Sequence, residues 1–415
     1  MTVGNAPFNP LYRRPISRFG LLRDLPTPAA ALANIGPNWF ASIMGTGIVA
    51  NAAVTLPFQV FGLRVAATVI WMIASIALVG LCLAFGAHWM RHRAAALGHA
   101  ADPVMAQFYG APPMALLTIG SGSLLLGRGV LGNLAIDISW ALWLAGTLTG
   151  LVAAVAVPYL MFTRFRLTGE SVFGGWLMPV VPPMVSAASG ALLVPFAPAG
   201  QLRLTLLLAG YALFGLSLLP SVIVTMLIWQ RLAMHNVGPT RLAPTLWIVL
   251  GWLGQSVTAV NALGAVAHLA LPAPYATGFE VFGLVYGVPV FGFAMLWVAL
   301  AAAVTIRAAR EHLPFSLTWW SFTFPAGTVV TGTSALAVHT GARVLAVVAG
   351  LGYLALIGAW GTVAVRTAAG SLRGTLFLPA TPAPPATPAP PATPAPPATP
   401  ATPAGHLGVS QPASR

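Results

Sequence analysis

The chain has 415 residues, of which 58% are hydrophobic and 6% charged, with a formal net charge of +13. A soluble domain carries about 25% charged residues; at a mean hydropathy of +0.85 this chain has too little polar surface to face water, and lipid is its main solvent. The charge does not indicate a nucleic-acid partner: all nineteen basic residues are arginine, and they sit in small groups between apolar runs rather than on one stripe.

Residues 1–35 contain Arg13, Arg14, Arg18 and Arg23 but no short apolar core with a cleavage site, and are predicted to form a cytoplasmic leader. Ten apolar runs follow, near 38–57, 65–88, 108–128, 138–163, 175–197, 204–229, 245–268, 279–306, 316–338 and 343–366. Each is about 18–28 residues, the length at which a helix crosses the hydrocarbon core. The third and ninth are rich in glycine and threonine. The single cysteine, Cys82, lies in the second run and reads as a small buried hydrophobe. No Cys/His spacing suits a metal, and neither metal nor cofactor is expected. From 369 to the end the chain reads as a disordered cytoplasmic tail, because the PATPAPP repeats of 379–404 favour extended polyproline II and cannot bury a core. A ligand for a proline-recognition domain is the alternative use of that tract.

The arginines test this layout. With both termini cytoplasmic, fifteen fall on the inside; Arg64, Arg128, Arg203 and Arg343 are the four outside. Every inside loop then holds two or more and no outside loop more than one. That alternation follows the positive-inside rule and requires an even number of spans.

Odd and even spans differ in composition. Gly, Pro, Ser and Thr are concentrated in the odd ones, where small residues permit close approach and hydroxyls serve polar groups away from lipid. The predicted fold is therefore all-α and integral to the membrane: ten transmembrane helices as five hairpins, odd helices inside and even helices facing lipid. Pro113, Pro182 and Pro325 are expected to kink odd helices. No acidic residue or arginine lies at the middle of a span, which argues against an ion-coupled pump and against a fixed arginine clamp. His88, His268 and His339 fall near span ends, where histidine can confer pH sensitivity. An enzyme is not expected. There is no HExxH, P-loop or dinucleotide fingerprint, and Gly120-Ser121-Gly122-Ser123 is better explained by helix packing than by a serine nucleophile.

The stretch Pro37-Asn38-Trp39-Phe40-Ala41-Ser42-Ile43-Met44-Gly45-Thr46-Gly47-Ile48 resembles the first-helix signature of the tellurite-resistance/dicarboxylate transporter family. That family includes yeast malate permeases, sulfite exporters and plant guard-cell slow anion channels. Trp319-Trp320-Ser321-Phe322-Thr323-Phe324-Pro325 is a second match, and Arg231-Leu232 with His235 and Pro244-Thr245 a third. The resemblance covers 36–366 and implies a homotrimer with a pore in each protomer, lined by the odd helices and closed by a phenylalanine of the ninth. The matching residue is Phe324, with Phe322 as the alternative. The two differ by about 200° on a helix, so both cannot point into one pore. Gly45, Thr46, Ser121, Ser186, Gln255 and Ser256, each near the middle of an odd span, are the other candidate pore residues.

The expected function is a plasma-membrane anion channel or uniporter for an inorganic anion, sulfite, tellurite or a C4-dicarboxylate. Hydroxyls and freed backbone N–H groups would favour anions, and the arginine collars would enrich them at the inner mouth. A proton-coupled dicarboxylate or sulfite carrier is one alternative. A membrane scaffold or sensor acting through the proline tail is the other. The expected partners are the anion, the bilayer and further copies of the chain.

Overall fold

The computed structural model describes residues 22–25, 27 and 29–378. Among them every regular element is helical and there is no strand, as lipid demands of a chain whose backbone groups must bond internally. Helices occupy all ten predicted runs: α1 (Phe40–Thr55), α2 (Leu63–Arg91), α3 (Ala111–Gly122), α4 (Leu134–Thr163), α5 (Pro182–Ala191), α6 (Gln201–His235), α7 (Ile248–Val266), α8 (Tyr275–Arg310), α9 (Phe324–Thr340) and α10 (Arg343–Arg373). Seven helical segments are long and apolar enough to cross a membrane: the five even helices, and α3 and α7 with their flanking turns, Met105–Leu131 and Thr240–Leu269. The α-helical parts of the other three, α1, α5 and α9, have 16, 10 and 17 residues.

The odd helices are short because each begins from a 3₁₀ turn: Pro37–Trp39, Met105–Gly110, Gly174–Leu177, Thr240–Trp247 and Leu317–Phe322. This changes the meaning of the prolines expected as kinks. Pro182 and Pro325 open their helices and Pro113 lies in the first turn of α3, where the missing N–H has no intrahelical partner to lose. The prolines inside long helices are Pro158, Pro220 and Pro289, all on even helices. The third segment also contains a π-helical turn, Ser123–Gly127.

Burial follows the odd/even division. In their most apolar stretches α2, α4, α6, α8 and α10 are only 17–33% buried, against 61% and 83% for the segments containing α3 and α7. All ten residues of α5 are buried. Each odd helix packs on the even helix that follows it, and the odd helices also pack on one another in sequence, α1 on α3, α3 on α5, α5 on α7, α7 on α9, and α9 back on α1. Glycines permit the close approaches in this ring. Gly110 abuts the Met178 carbonyl, Gly174 the Thr245 carbonyl and Gly327 the Ile48 side chain. Gly341, at φ +69°, closes α9 in the left-handed conformation and turns the chain directly into α10.

Cys82 lies on the exposed outer face of α2 rather than in the interior, because that helix presents most of its circumference outward. The folded chain also passes the expected boundary at 368. Helix α10 runs to Arg373, Leu22 and Asp24 donate backbone hydrogen bonds to the Leu372 and Arg373 carbonyls at 2.7 and 2.9 Å, and Trp39 stacks on Phe377 with centroids 4.7 Å apart. Of the expected leader, residues 1–21, 26 and 28 lie outside the described residues, as does the whole proline tract.

Candidate functional site

The ring of odd helices encloses a cavity of ≈ 560 Å³. Each odd helix lines it with a stripe at helical spacing: Ile48, Asn51 and Thr55; Thr118, Ser121 and Leu125; Val185, Ser189 and Leu192; Gln255, Thr258, Ala262 and Ala265; Phe324, Thr331, Ala335 and Val338. Asn261 and His339 face it as well, and Glu280 of α8 stands at its rim. A second cavity of only ≈ 20 Å³ lies where the odd helices begin, lined by Met44, Phe108, Met114, Met178, Val181, Ile248 and Leu317 with Ser321 as its one hydroxyl. Phe324 and Pro325 complete that lining. Phe324 thus borders both spaces, a wide one that carries polar side chains and a pinched apolar one, and is 2% exposed. The start of α9 at Phe324, just after its 3₁₀ turn, carries the ring to this junction.

Phe322 borders neither space. Its ring meets Trp247 and Trp319 edge-on, both at 5.7 Å between centroids. Of the other candidate pore residues, Ser121 and Gln255 line the wide cavity. Gly45, Thr46, Ser186 and Ser256 border neither space. Gly45 faces Trp320 and Thr323. Thr46 accepts a hydrogen bond from Trp360 of α10 at 3.2 Å. The Ser186 carbonyl accepts one from Trp143 of α4 at 2.9 Å. Ser256 is fully buried and donates to the Leu253 carbonyl at 2.8 Å.

The hydroxyls expected to attract anions are already engaged. Thr55, Thr118, Ser121 and Ser189 donate to carbonyls of their own helices at 2.7–3.1 Å. Thr258 and Thr331 bond each other at 2.8 Å, with the Gly254 and Thr328 carbonyls each 3.0 Å away. Asn51 uses its amide on the Thr118 carbonyl at 2.9 Å and keeps one N–H. Gln255 makes no hydrogen bond to the described residues and turns its amide to the cavity. His339 bonds Asn261 at 2.8 Å through Nδ1 and leaves Nε2 free. The polar stripe residues Asn51, Thr118, Ser189, Thr258, Asn261 and Thr331 were not singled out from sequence, and His339 was noted only as a histidine near a span end. Their signal is the i, i+3, i+4, i+7 spacing within odd spans.

Among the described residues no arginine lines either space. Among the same residues, the ionisable side chains on the wide cavity are Glu280 and His339.

Known proteins are similar to this chain over most of its length. The sulfite efflux pump SSU1 of Arthroderma otae is 29% identical over 315 residues, covering 74% of this chain and 82% of the relative. SSU1 of Trichophyton rubrum is 29% identical over 320 residues, with the same two coverages. An uncharacterized transporter of Methanocaldococcus jannaschii is 26% identical over 312 residues, 73% of this chain and 83% of the relative. The sequence profile of the voltage-dependent anion channel family, SLAC1, matches residues 34–368, and the chain therefore belongs to this family and is a membrane anion transporter or channel.

Proposed function

We propose that the chain conducts a small inorganic anion, sulfite foremost, through the tube inside its ring of odd helices, and that the Phe324 ring is the gate. The observation that carries this reading is the position of Phe324 between the ≈ 560 Å³ cavity and the ≈ 20 Å³ apolar pinch. Rotating one ring away would join the two spaces, and among the described residues no other aromatic ring borders both. Sulfite is favoured because sulfite efflux pumps align with 74% of this chain at 29% identity, and because an amide-bearing path without arginine suits an oxyanion held weakly.

In this reading the ten helices are all membrane-spanning and form five hairpins, α1 with α2 through α9 with α10. Both termini are cytoplasmic, as the arginine distribution favours, and the membrane is the plasma membrane. The chain assembles as a homotrimer with an independent pathway in each protomer.

The test is anion flux into liposomes containing the purified full-length protein, with sulfite, nitrate, chloride, tellurite and malate compared. Phe324→Ala should raise flux about tenfold, equivalent to removing about 1.4 kcal/mol from the barrier. Unchanged flux from a folded Phe324→Ala protein would reject the gate. Absence of protein-dependent flux for every anion would reject the pathway.

A further inference from the structure

The donors left to an anion in the wide cavity are few. The lining hydroxyls are spent, and what remains is the amide of Gln255, one N–H of Asn51 and the imidazole of His339. Only the last can become a cation.

The orientation of that imidazole follows from its neighbours. Asn261 donates through Nδ2 to the Val257 carbonyl at 2.9 Å and to the Gly283 carbonyl at 3.1 Å. Carbonyls only accept, so the amide cannot be flipped and Oδ1 is the atom facing His339. Oδ1 is itself an acceptor, so the His339 Nδ1, 2.8 Å away, carries the proton. Nε2 is then the unprotonated atom of the neutral ring, and it becomes a donor only in the imidazolium. The seat is built for this amide. A Cβ at Gly283 would stand 3.1 Å from Asn261 Oδ1, and one at Gly287 would stand 3.3 Å from its Nδ2.

We infer that His339 is the proton-dependent anion-binding residue of the wide cavity: its imidazolium Nε2–H holds the anion, and loss of that proton releases it. The inference rests on the anion pathway proposed above. The surrounding charges are compatible with it. Of the elements packed against α9, α1 and α7 carry no ionisable side chain. The turn after α7 carries His268. Near this end, α8 contributes Tyr275, Glu280 and Tyr286, and α10 contributes Arg343. Among the described residues, Glu280 is the other ionisable residue lining the cavity. By linkage, an anion that binds the protonated form draws a proton onto the protein.

Nitrate is the suitable probe, because its own charge does not change with pH in the imidazole range. Full-length protein is assayed for nitrate flux in liposomes at about pH 5.5 and about pH 8, on either side of the ordinary imidazole range. Proton uptake on adding nitrate is measured separately in weakly buffered detergent. The wild type should need about tenfold more nitrate for half-saturation at the higher pH, each pH unit above the pKa costing up to about tenfold when only the protonated form binds. It should take up protons as nitrate binds. His339→Gln should show the weak value at both pH values and no uptake. His339→Arg, with a fixed charge, should be equally pH-independent but tight. If His339→Gln keeps the wild-type pH dependence and proton uptake, the assignment to His339 is overturned while the pathway stands. If neither the wild type nor Phe324→Ala carries nitrate, sulfite or any other anion of the panel, the pathway falls and the inference with it; if sulfite is carried but nitrate is not bound at either pH, the inference alone is overturned.

Discussion

Gly254 of α7 lies directly against the peptide that joins Thr328 to Val329 in α9. On the same face the Thr328 hydroxyl stands 3.2 Å from the Leu250 carbonyl, and a Cβ on Gly332 would stand 2.7 Å from the Gly254 carbonyl oxygen. The two helices touch backbone to backbone one turn beyond Phe324. The position of the ring is therefore set by a contact that admits no side chain.

Gly254→Ala should accordingly destabilise the protein. The added methyl meets backbone, which cannot swing away as a flexible side chain does, and overpacking of this kind costs about 1–3 kcal/mol. The measurement is the thermal midpoint of the detergent-purified protein. Gly292→Ala on α8, where a Cβ meets nothing within 4 Å, is the matched control and should hold or raise the midpoint. An unchanged midpoint for Gly254→Ala would mean that α7 and α9 separate freely.

Phe322 and Phe324 should respond differently to truncation. Phe322→Ala removes a ring from the Trp247–Trp319 cluster, in which the Arg366 guanidinium lies 4.9 Å from the Trp319 ring. The expected result is a loss of stability of about 3 kcal/mol or less, since the ring is only partly buried, without a rise in anion flux per folded protein. Phe324→Ala should raise flux. Equal rises from both variants would show that the pinch depends on the whole 3₁₀ turn and not on one ring.

The division into odd and even helices was legible in the sequence because it is a matter of composition: small residues collect where helices approach one another, and lipid-facing helices can be apolar all round. Directions around each helix were less legible. Ser121 and Gln255 face the cavity while Thr46, Ser186 and Ser256, equally central in their spans, face neighbouring helices, because depth along a span carries no azimuth. A proline that opens a helix and one that bends it look alike locally, so Pro113, Pro182 and Pro325 did not announce the 3₁₀ turns before them. The hydroxyls were misleading for a further reason. Ser and Thr on a helix have the carbonyl three or four residues back within reach, and here they take it.

Gln255 can be tested as a donor to the anion. Gln255→Leu keeps much of the shape but removes both N–H groups from the cavity wall. A hydrogen bond to a charged partner is worth about 1.5–3 kcal/mol, so half-saturating nitrate should rise by about tenfold or more. Asn51→Leu is a poorer probe, because it also breaks the 2.9 Å bond that ties α1 to the Thr118 carbonyl. Unaltered saturation in Gln255→Leu would place the anion elsewhere in the cavity.

A second histidine, away from the pathway, should tie stability to pH. His99 lies in the short helix Arg93–Ala101 outside the spans, stacked on His88 at 5.4 Å. Burial holds its pKa below the ordinary value, His88 adds to the shift, and Asp102 partly opposes it. With the folded pKa depressed, the unfolded chain takes up the proton first as pH falls. Stability is therefore intact above the ordinary histidine pKa of about 6.5 and declines as pH drops through that value toward the lower folded one. The thermal midpoint should fall with acidification over this window, and His99→Gln should flatten the fall. The readout differs from that of His339, because no anion need be present. A midpoint that falls equally in both proteins would assign the acid sensitivity to another group.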